Sequence, residues 1–331
     1  MLTPIWALLL ACSQPAPRPN LLLITLDTTR ADHVLTAGTP NLSALAARGV
    51  HFERALSPVP ITLPAHTTLM TGLEPWEHGV HNNSTYTAGP ELQTLAETLS
   101  SEGWRTAAVI AATPLSSARG LDQGFEFYEE GGLRKEAGTH APERSAEQVT
   151  ATALAILEGL PEPWFLWVHY FDPHSPWQTP VQGDETPYQA EIRAMDASLG
   201  ALLAAVDAED LVLLTADHGE ALGEHGEPTH GYFLHDATLR VPLMLAGPGV
   251  PVGQTVGGTA RLSDLHDTAL HLLGLREEPA LATWEAVDRP AYGETWMPTE
   301  ALGLDPVFSW TEHGLRLIES PTSRLYELAT D

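Results

Sequence analysis

Cysteine is nearly missing from this chain. Cys12 is the only one in 331 residues, so no disulfide can form within it. Lysine is as scarce: Lys135 stands alone, and the other 15 of the 16 cationic residues are arginine. Acidic residues number 43, giving a net charge of −27. A surface of that sign repels nucleic acid and anionic membranes, so no nucleic-acid partner is expected. The apolar run before Cys12, "LTPIWALLLA", is too short to span a membrane as a helix. No repeat is visible. What remains is a chain with 43% apolar content, enough for one large domain or a large domain with a small appendage.

The first residues are read apart from the rest. Leu9-Leu10-Ala11-Cys12 resembles the bacterial lipoprotein cleavage box, in which the cysteine is lipidated after cleavage. "SQPAPRP" then serves as a tether. Residues 1–19 are therefore expected to be signal and tether. The protein is expected to be exported to the bacterial cell envelope, touching the membrane only through a lipid on Cys12.

Several apolar runs end at a polar residue able to do chemistry. "NLLLITLD" ends at Asp27, "WFLWVHYFDPH" at Asp172 and His174, and "DLVLLTADHGE" at Asp217 and His218. "RTAAVIAA" and "VPLMLAGPG" are similar runs without such an ending. Near-continuous apolar strands are buried on both faces, as in a parallel sheet. Helical patterns lie between them. "TPNLSALAARGV" offers Thr39 as N-cap and Gly49 as stop, and "PELQTLAETLSSEG", "SAEQVTATALAILEGL", "YQAEIRAMDASLGALLAAV" and "LSDLHDTALHLLG" follow. Strand–helix alternation implies an α/β fold with a parallel sheet. Ligands of such sheets bind outside the carboxyl ends of the strands. Asp27, Asp172, His174, Asp217 and His218 all fall on that edge. From 281 to 331 the texture changes to short strand-like pieces such as "PVFSWTEHG" and "SRLYELATD", which predict a small antiparallel subdomain after a catalytic domain over 20–280.

An aspartate beside a histidine at a strand end, "TADHGE", suits a divalent ion such as Zn²⁺ or Mn²⁺, or a helix cap with a surface imidazole. Asp27 at a second strand end favours the metal, which needs three or four converging ligands. Thr62 stands two residues before Pro64, a position that fits the first turn of a helix and its positive end. A threonine hydroxyl is a poor nucleophile unless a cation favours its alkoxide. His174 and His230 are available to hold a second ion or to grip an anionic substrate. Asn83 is a neutral donor for a substrate oxygen, or a turn residue. His66, His78 and His225 are read as structural.

These segments in this order resemble the sulfatase family of the alkaline phosphatase superfamily: "PNLLLITLDTTRADH", "TPNLSALAARGVHFERALSPVP", "LMTGLEPWEHGV", "WVHYFDPHSPW", "TADHGEALGEHG", "LRVPLMLAGPGV" and "LSDLHDTALHLLGL". The resemblance covers residues 19–331. It implies an alkaline-phosphatase-like α/β fold, a mostly parallel central sheet between helices with a small C-terminal antiparallel sheet. The departures are specific. Sulfatases carry a cysteine, matured to formylglycine, in a pattern like C-x-P-S-R; here "TLPAH" sets Thr62, Ala65 and His66 at those places. Thr28 replaces the second of the paired aspartates, and His218 replaces a frequent asparagine. The two site lysines of sulfatases have no counterpart. "TLPAHTTLMTGLEPWEHGVHNN" is similar instead to nucleotide pyrophosphatases/phosphodiesterases, whose nucleophile is a threonine. That likeness implies Thr62 as nucleophile and Asp27, Thr62, Asp217 and His218 as one metal site. His174 and His230 then take the second-metal or substrate-binding role, Asn83 holds a substrate oxygen, and Asp172 is a weaker candidate.

The expected function is metal-dependent hydrolysis of small anionic esters, phosphate before sulfate, with one or two divalent ions, Zn²⁺ first and Mn²⁺ or Ca²⁺ as alternatives. The rival readings are a sulfuric ester hydrolase without formylglycine, a phosphoryl-group transferase, and an inactive binding protein with the same fold.

Overall fold

The computed structural model of the chain describes residues 18–36, 38–131, 133, 144–278, 281 and 284–330. Cys12 with the apolar run before it, and Lys135, lie outside the described residues. The main sheet has eight strands in the order β4-β3-β5-β1-β6-β7-β2-β8. These are β1 (Leu21–Leu26), β2 (Val50–Leu56), β3 (Arg105–Val109), β4 (Phe127–Glu129), β5 (Trp164–Tyr170), β6 (Leu211–Ala216), β7 (Arg240–Ala246) and β8 (Gln254–Arg261). Every residue of β1, β5 and β6 is buried, because helices cover both faces of the central strands. In the centre Leu21 pairs with Phe165 on one side and Leu211 on the other, both in parallel register.

One strand runs against the rest. The run "VPLMLAGPG" was expected to be parallel, yet β7 pairs antiparallel with both β6 and β2. Its cause is the connection before it. β6 ends at the carboxyl edge, the loop over 217–239 stays at that edge, and β7 must start there and run back. Burial on both faces gives a continuous apolar run whichever way a strand points, so composition could not tell.

The helices are α1 (Pro40–Ala47), α2 (Thr62–Thr71), α3 (Pro75–His78), α4 (Leu95–Ser101), α5 (Ala146–Leu157), α6 (Pro187–Leu203), α7 (Asp236–Leu239), α8 (Asp264–Leu272) and α9 (Met297–Leu302). The helices α4, α5 and α6 begin with reciprocal capping boxes: Thr94 with Glu97, Ser145 with Gln148, and Thr186 with Gln189. The expected cap on α1 is different. The Thr39 hydroxyl is engaged by Thr36, while Asp196 of α6 takes the free N–H groups of Asn41 (3.1 Å) and Leu42 (2.8 Å). A carboxylate from a neighbouring helix has replaced the local hydroxyl, which no sequence-local rule detects. Gly49 does end this segment: a Cβ there would lie 1.9 Å from the Leu245 carbonyl of β7.

The second sheet is antiparallel, in the order β12-β11-β10-β9, from β9 (Ala291–Thr295), β10 (Val307–Glu312), β11 (Leu315–Glu319) and β12 (Arg324–Glu327). It is tied to the main body at the working edge. Glu294 N–H donates to the Pro58 carbonyl (2.8 Å), and the Thr295 hydroxyl donates to the Gly231 carbonyl. Met297 packs on Val59, Ile61 and Ala65. No helix among the described residues is long and apolar enough to cross a membrane.

Candidate active site

Two neighbouring strands deliver the central groups. β1 runs into Asp27, whose N–H donates to the Tyr170 carbonyl of β5 (2.8 Å). β6 runs into Asp217 and His218. One ligand atom from each of Asp27, Asp217 and His218 lies within 4.8 Å of the others, and all three residues are buried. Asp217 Oδ1 accepts from the backbone N–H of His218 (2.8 Å) and of Thr28 (3.3 Å). Thr28 stands at φ +50°, an uncommon value for a β-branched residue. Its carbonyl accepts from the Tyr188 hydroxyl (2.7 Å), which helps hold that turn closed over the site.

The remaining atoms of this group are the informative ones. Asp27 Oδ1 and Oδ2, Asp217 Oδ2 and His218 Nε2 are buried without a hydrogen-bond partner among the described residues. His218 Nδ1 lies 2.9 Å from the Gly219 carbonyl, which can only accept. Nδ1 therefore carries the hydrogen, and Nε2 turns a lone pair inward. Four inward-facing lone-pair atoms, three of them oxygens of two different carboxylates, are costly in a dry site unless a cation sits among them. The donor set thus fits a divalent ion bound by oxygen and imidazole nitrogen.

The titration behaviour follows from the same crowding. Burial pushes Asp27 up, but the His169 imidazole beside it and those of His174 and His218 outweigh it and hold Asp27 below the usual carboxylate range. Burial and the Asp27 charge push Asp217 well above that range. Burial, with His230 nearby, pushes His218 down to about 3. Burial also lowers His230, but the Glu220 carboxylate overcomes it and raises the imidazole above its ordinary value.

Two further histidines were not singled out as functional by the sequence reading, and both sit at this centre. His66, read as structural, has Nδ1 3.7 Å from Asp217 Oδ2, and His169 Nε2 lies 3.4 Å from Asp27 Oδ2. With Asp217 they form a second group of potential ligands. The hydrogen bonds decide between the two groups. His66 has both ring nitrogens engaged, by the Thr62 carbonyl (2.8 Å) and by the Thr25 hydroxyl (3.0 Å). His169 Nδ1 accepts from Ala111 N–H (3.3 Å), so its Nε2–H faces Asp27. Neither offers a spare lone pair to an ion, unlike His218. The one available signal for His169 was a histidine inside an otherwise apolar, fully buried strand.

Thr62 opens α2 and is 4% exposed. His66 links it to the carboxylates, touching the Thr62 carbonyl and Asp217 at once. Asn83 Oδ1 accepts from Leu63 N–H (2.7 Å), which places its amide beside the start of α2. His230 and His174 stand one ring further out: His218 and His230 are 4.5 Å apart between centroids, and His174 and His230 5.3 Å. His230 Nδ1 faces Glu220 (3.3 Å) and His174 Nδ1 faces the Ser175 carbonyl (2.6 Å). Asp172 is directed elsewhere. Its Oδ1 accepts from Ala146 N–H at the start of α5 (2.8 Å), a capping contact. His78 is held by Thr68 and Val80 N–H, and His225 stacks on His235 at 3.6 Å.

Known proteins share this fold. A family model described as Sulfatase matches residues 19–275. The ulvan-active sulfatase of Formosa agariphila is 25% identical over 319 residues, covering 78% of this chain and 62% of that protein. Human ectonucleotide pyrophosphatase/phosphodiesterase family member 7 is 28% identical over 245 residues, 66% of this chain and 53% of its own length. The chain thus spans less than two thirds of these curated relatives. Among solved structures, BT4656 in complex with its substrate D-glucosamine-2-N,6-O-disulfate superposes with TM-score 0.79 at 16% identity, covering 95% of this chain and 92% of that one. The phosphonate monoester hydrolase of Agrobacterium radiobacter gives 0.74 at 20%, covering 95% and 90%.

Proposed function

The chain belongs to the sulfatase family, and from that premise we propose that it is a metal-dependent hydrolase of small phosphate or sulfate esters, phosphoryl preferred, with Thr62 as nucleophile. One observation supports this most: unpartnered, buried Asp27, Asp217 and His218 atoms face one another, and His66 joins them to the first residue of α2. Asp27, Asp217, His218 and Thr62 would hold the ion. Two carboxylates, an imidazole and a hydroxyl suit Zn²⁺, with Mn²⁺ or Ca²⁺ as alternatives. Such an ion supplies Lewis-acid stabilisation of charge on the transferring group and favours the Thr62 alkoxide.

The protein's own groups then do the following. The Thr62 oxygen forms a bond to phosphorus as the bond to the leaving oxygen breaks, and a water later takes the group off Thr62. The N-terminus of α2 lies against the developing negative charge. Asn83 has its oxygen on Leu63 N–H, and its amide N–H groups serve a non-bridging oxygen. His174 and His230 grip the anion or hold a second ion; Glu220 keeps His230 oriented and favours its charged form. These cationic and donor groups offset an otherwise acidic protein around an anionic substrate. A lipid on Cys12 would hold the enzyme at the bacterial cell envelope.

The phosphoryl preference is supported by threonine at the formylglycine place and by the phosphodiesterase relative. The ulvan-active relative favours a second reading, a sulfuric ester hydrolase working without formylglycine. The test is turnover of aryl phosphate mono- and diesters and aryl sulfates by purified protein, with metal content measured. Phosphate-ester turnover with stoichiometric metal is expected, and Thr62→Ala should lower it at least about 10³-fold with metal still bound. Sulfate release without phosphate-ester turnover would overturn the preference. Full activity in Thr62→Ala would overturn the nucleophile.

A further inference from the structure

His66 stands where the family pattern puts an arginine, and the mechanism above gives it no role. A neutral ring has one hydrogen-bonding state in these surroundings. The Thr62 carbonyl, 2.8 Å from Nδ1, can only accept, so Nδ1 carries the hydrogen. Nε2 then has a lone pair and needs a donor. The Thr25 hydroxyl is 3.0 Å away, and that oxygen in turn accepts from Trp167 Nε1–H at 3.0 Å. Trp167 Nε1–H can only donate, so the order is fixed: Trp167 to Thr25, Thr25 to His66, His66 to the Thr62 carbonyl. Trp167 and Thr25 are 0% exposed and His66 1%, so no water competes.

The far end of this relay meets a second clamp. The Thr62 carbonyl and the Leu63 N–H belong to the same peptide unit. His66 holds its oxygen and Asn83 holds its hydrogen, at 2.8 and 2.7 Å. A peptide plane fixed at both ends fixes the Cα–Cβ direction of Thr62, and hence where its hydroxyl can point. Such a plane at a helix N-terminus otherwise has an orphan N–H and some freedom to rock.

We propose that His66 is a positioning residue: an imidazole strut, braced by Thr25 and Trp167, that orients the Thr62 hydroxyl by holding the Thr62–Leu63 peptide from its carbonyl side. The inference rests on Thr62 being the nucleophile. It assigns His66 neither a proton-transfer step nor a place among the metal ligands, although Asp217 is its neighbour. A misplacement of an ångström at a reacting atom costs up to about 10²-fold in rate, so the strut acts on kcat and leaves substrate and metal binding alone.

Two substitutions separate the two ring nitrogens. In His66→Asn the amide nitrogen takes the place of Nδ1 and can still donate to the Thr62 carbonyl. In His66→Gln the longer side chain reaches the place of Nε2, serving Thr25 and abandoning Thr62. We expect His66→Gln to lose about 10- to 100-fold in kcat, with KM and metal stoichiometry within about twofold of wild type and His66→Asn within about threefold of wild-type kcat. Thr25→Val should fall between the two. In the wild-type full chain, long-range ¹H–¹⁵N NMR should show His66 in the Nδ1–H form. Equal losses in both His66 variants, metal loss in His66→Asn, or an Nε2–H tautomer would each overturn the inference. Thr62→Ala serves as the separate control: if it stays active, the nucleophile is wrong; if it is dead while the two His66 variants match, only the strut is wrong.

Discussion

Removing one central carboxylate should change stability in opposite directions with and without metal. The perturbation is Asp217→Asn. The amide keeps an oxygen for the His218 and Thr28 N–H groups, so the loop geometry is preserved. What it removes is a charge within 4.8 Å of a ligand atom of Asp27, with both residues essentially without exposure. At an effective dielectric constant of about 20, two like charges at that distance repel by about 3 kcal/mol. A metal-free protein relieves part of this by protonating Asp217, whose folded-state pKa lies above its unfolded value. A group raised in this way stabilises the folded state at low pH, and that contribution fades as pH rises from about 4 through the folded value. Against wild type in excess chelator at pH 8 to 9, the variant should therefore gain about 2–3 kcal/mol in denaturant-melt stability, and the gain should vanish near pH 4. In excess Zn²⁺ the order should reverse, because wild type gains stability by binding the ion and the variant binds it poorly. A variant less stable than wild type in chelator at pH 8 would refute the reasoning, since it would mean that Asp217 is already compensated by protein groups alone.

Two further outcomes are expected. Asp196→Ala should cost about 3 kcal/mol in a urea melt, because it strips a charged acceptor from the buried N-terminus of α1; a loss under about 1 kcal/mol would show that the cap contributes little. Cys12→Ser, expressed in a bacterial host that lipidates such boxes, should move the protein from the membrane fraction to the soluble one, and unchanged fractionation would exclude lipid anchoring through that residue.

Much of the working edge was legible in advance. Asp27, Asp217 and His218 were visible because each terminates a run of side chains that can only be a buried strand. Thr62 was visible because Pro64 marks a helix start and the family pattern aligns it with the formylglycine position. The clamps behind them were not. His66 and His169 act through partners 41 and 142 positions away from them along the chain, on Thr25 and Asp27 respectively, and a lone imidazole in an apolar setting carries no sign of which partner it has. The cap of α1 failed for the same reason: Asp196 is 155 positions from Asn41. Local rules describe ends and turns, whereas these contacts exist only once the sheet has brought distant segments together. The direction of β7 belongs here too, since a strand buried on both faces has the same composition either way up.

The strap from the smaller sheet has a consequence for how the enzyme comes into being. Glu294 and Thr295 fasten the Pro58 and Gly231 turns, which flank Thr62 and His230, and they come later in the chain than every residue that would bind the ion. As the chain folds, the large sheet can assemble with its carboxylates in place while both turns are still unfastened. The last segment to dock would then close the rim of the site, so a clipped chain lacking β9 would carry the ligands with the Pro58 and Gly231 turns loose beside them.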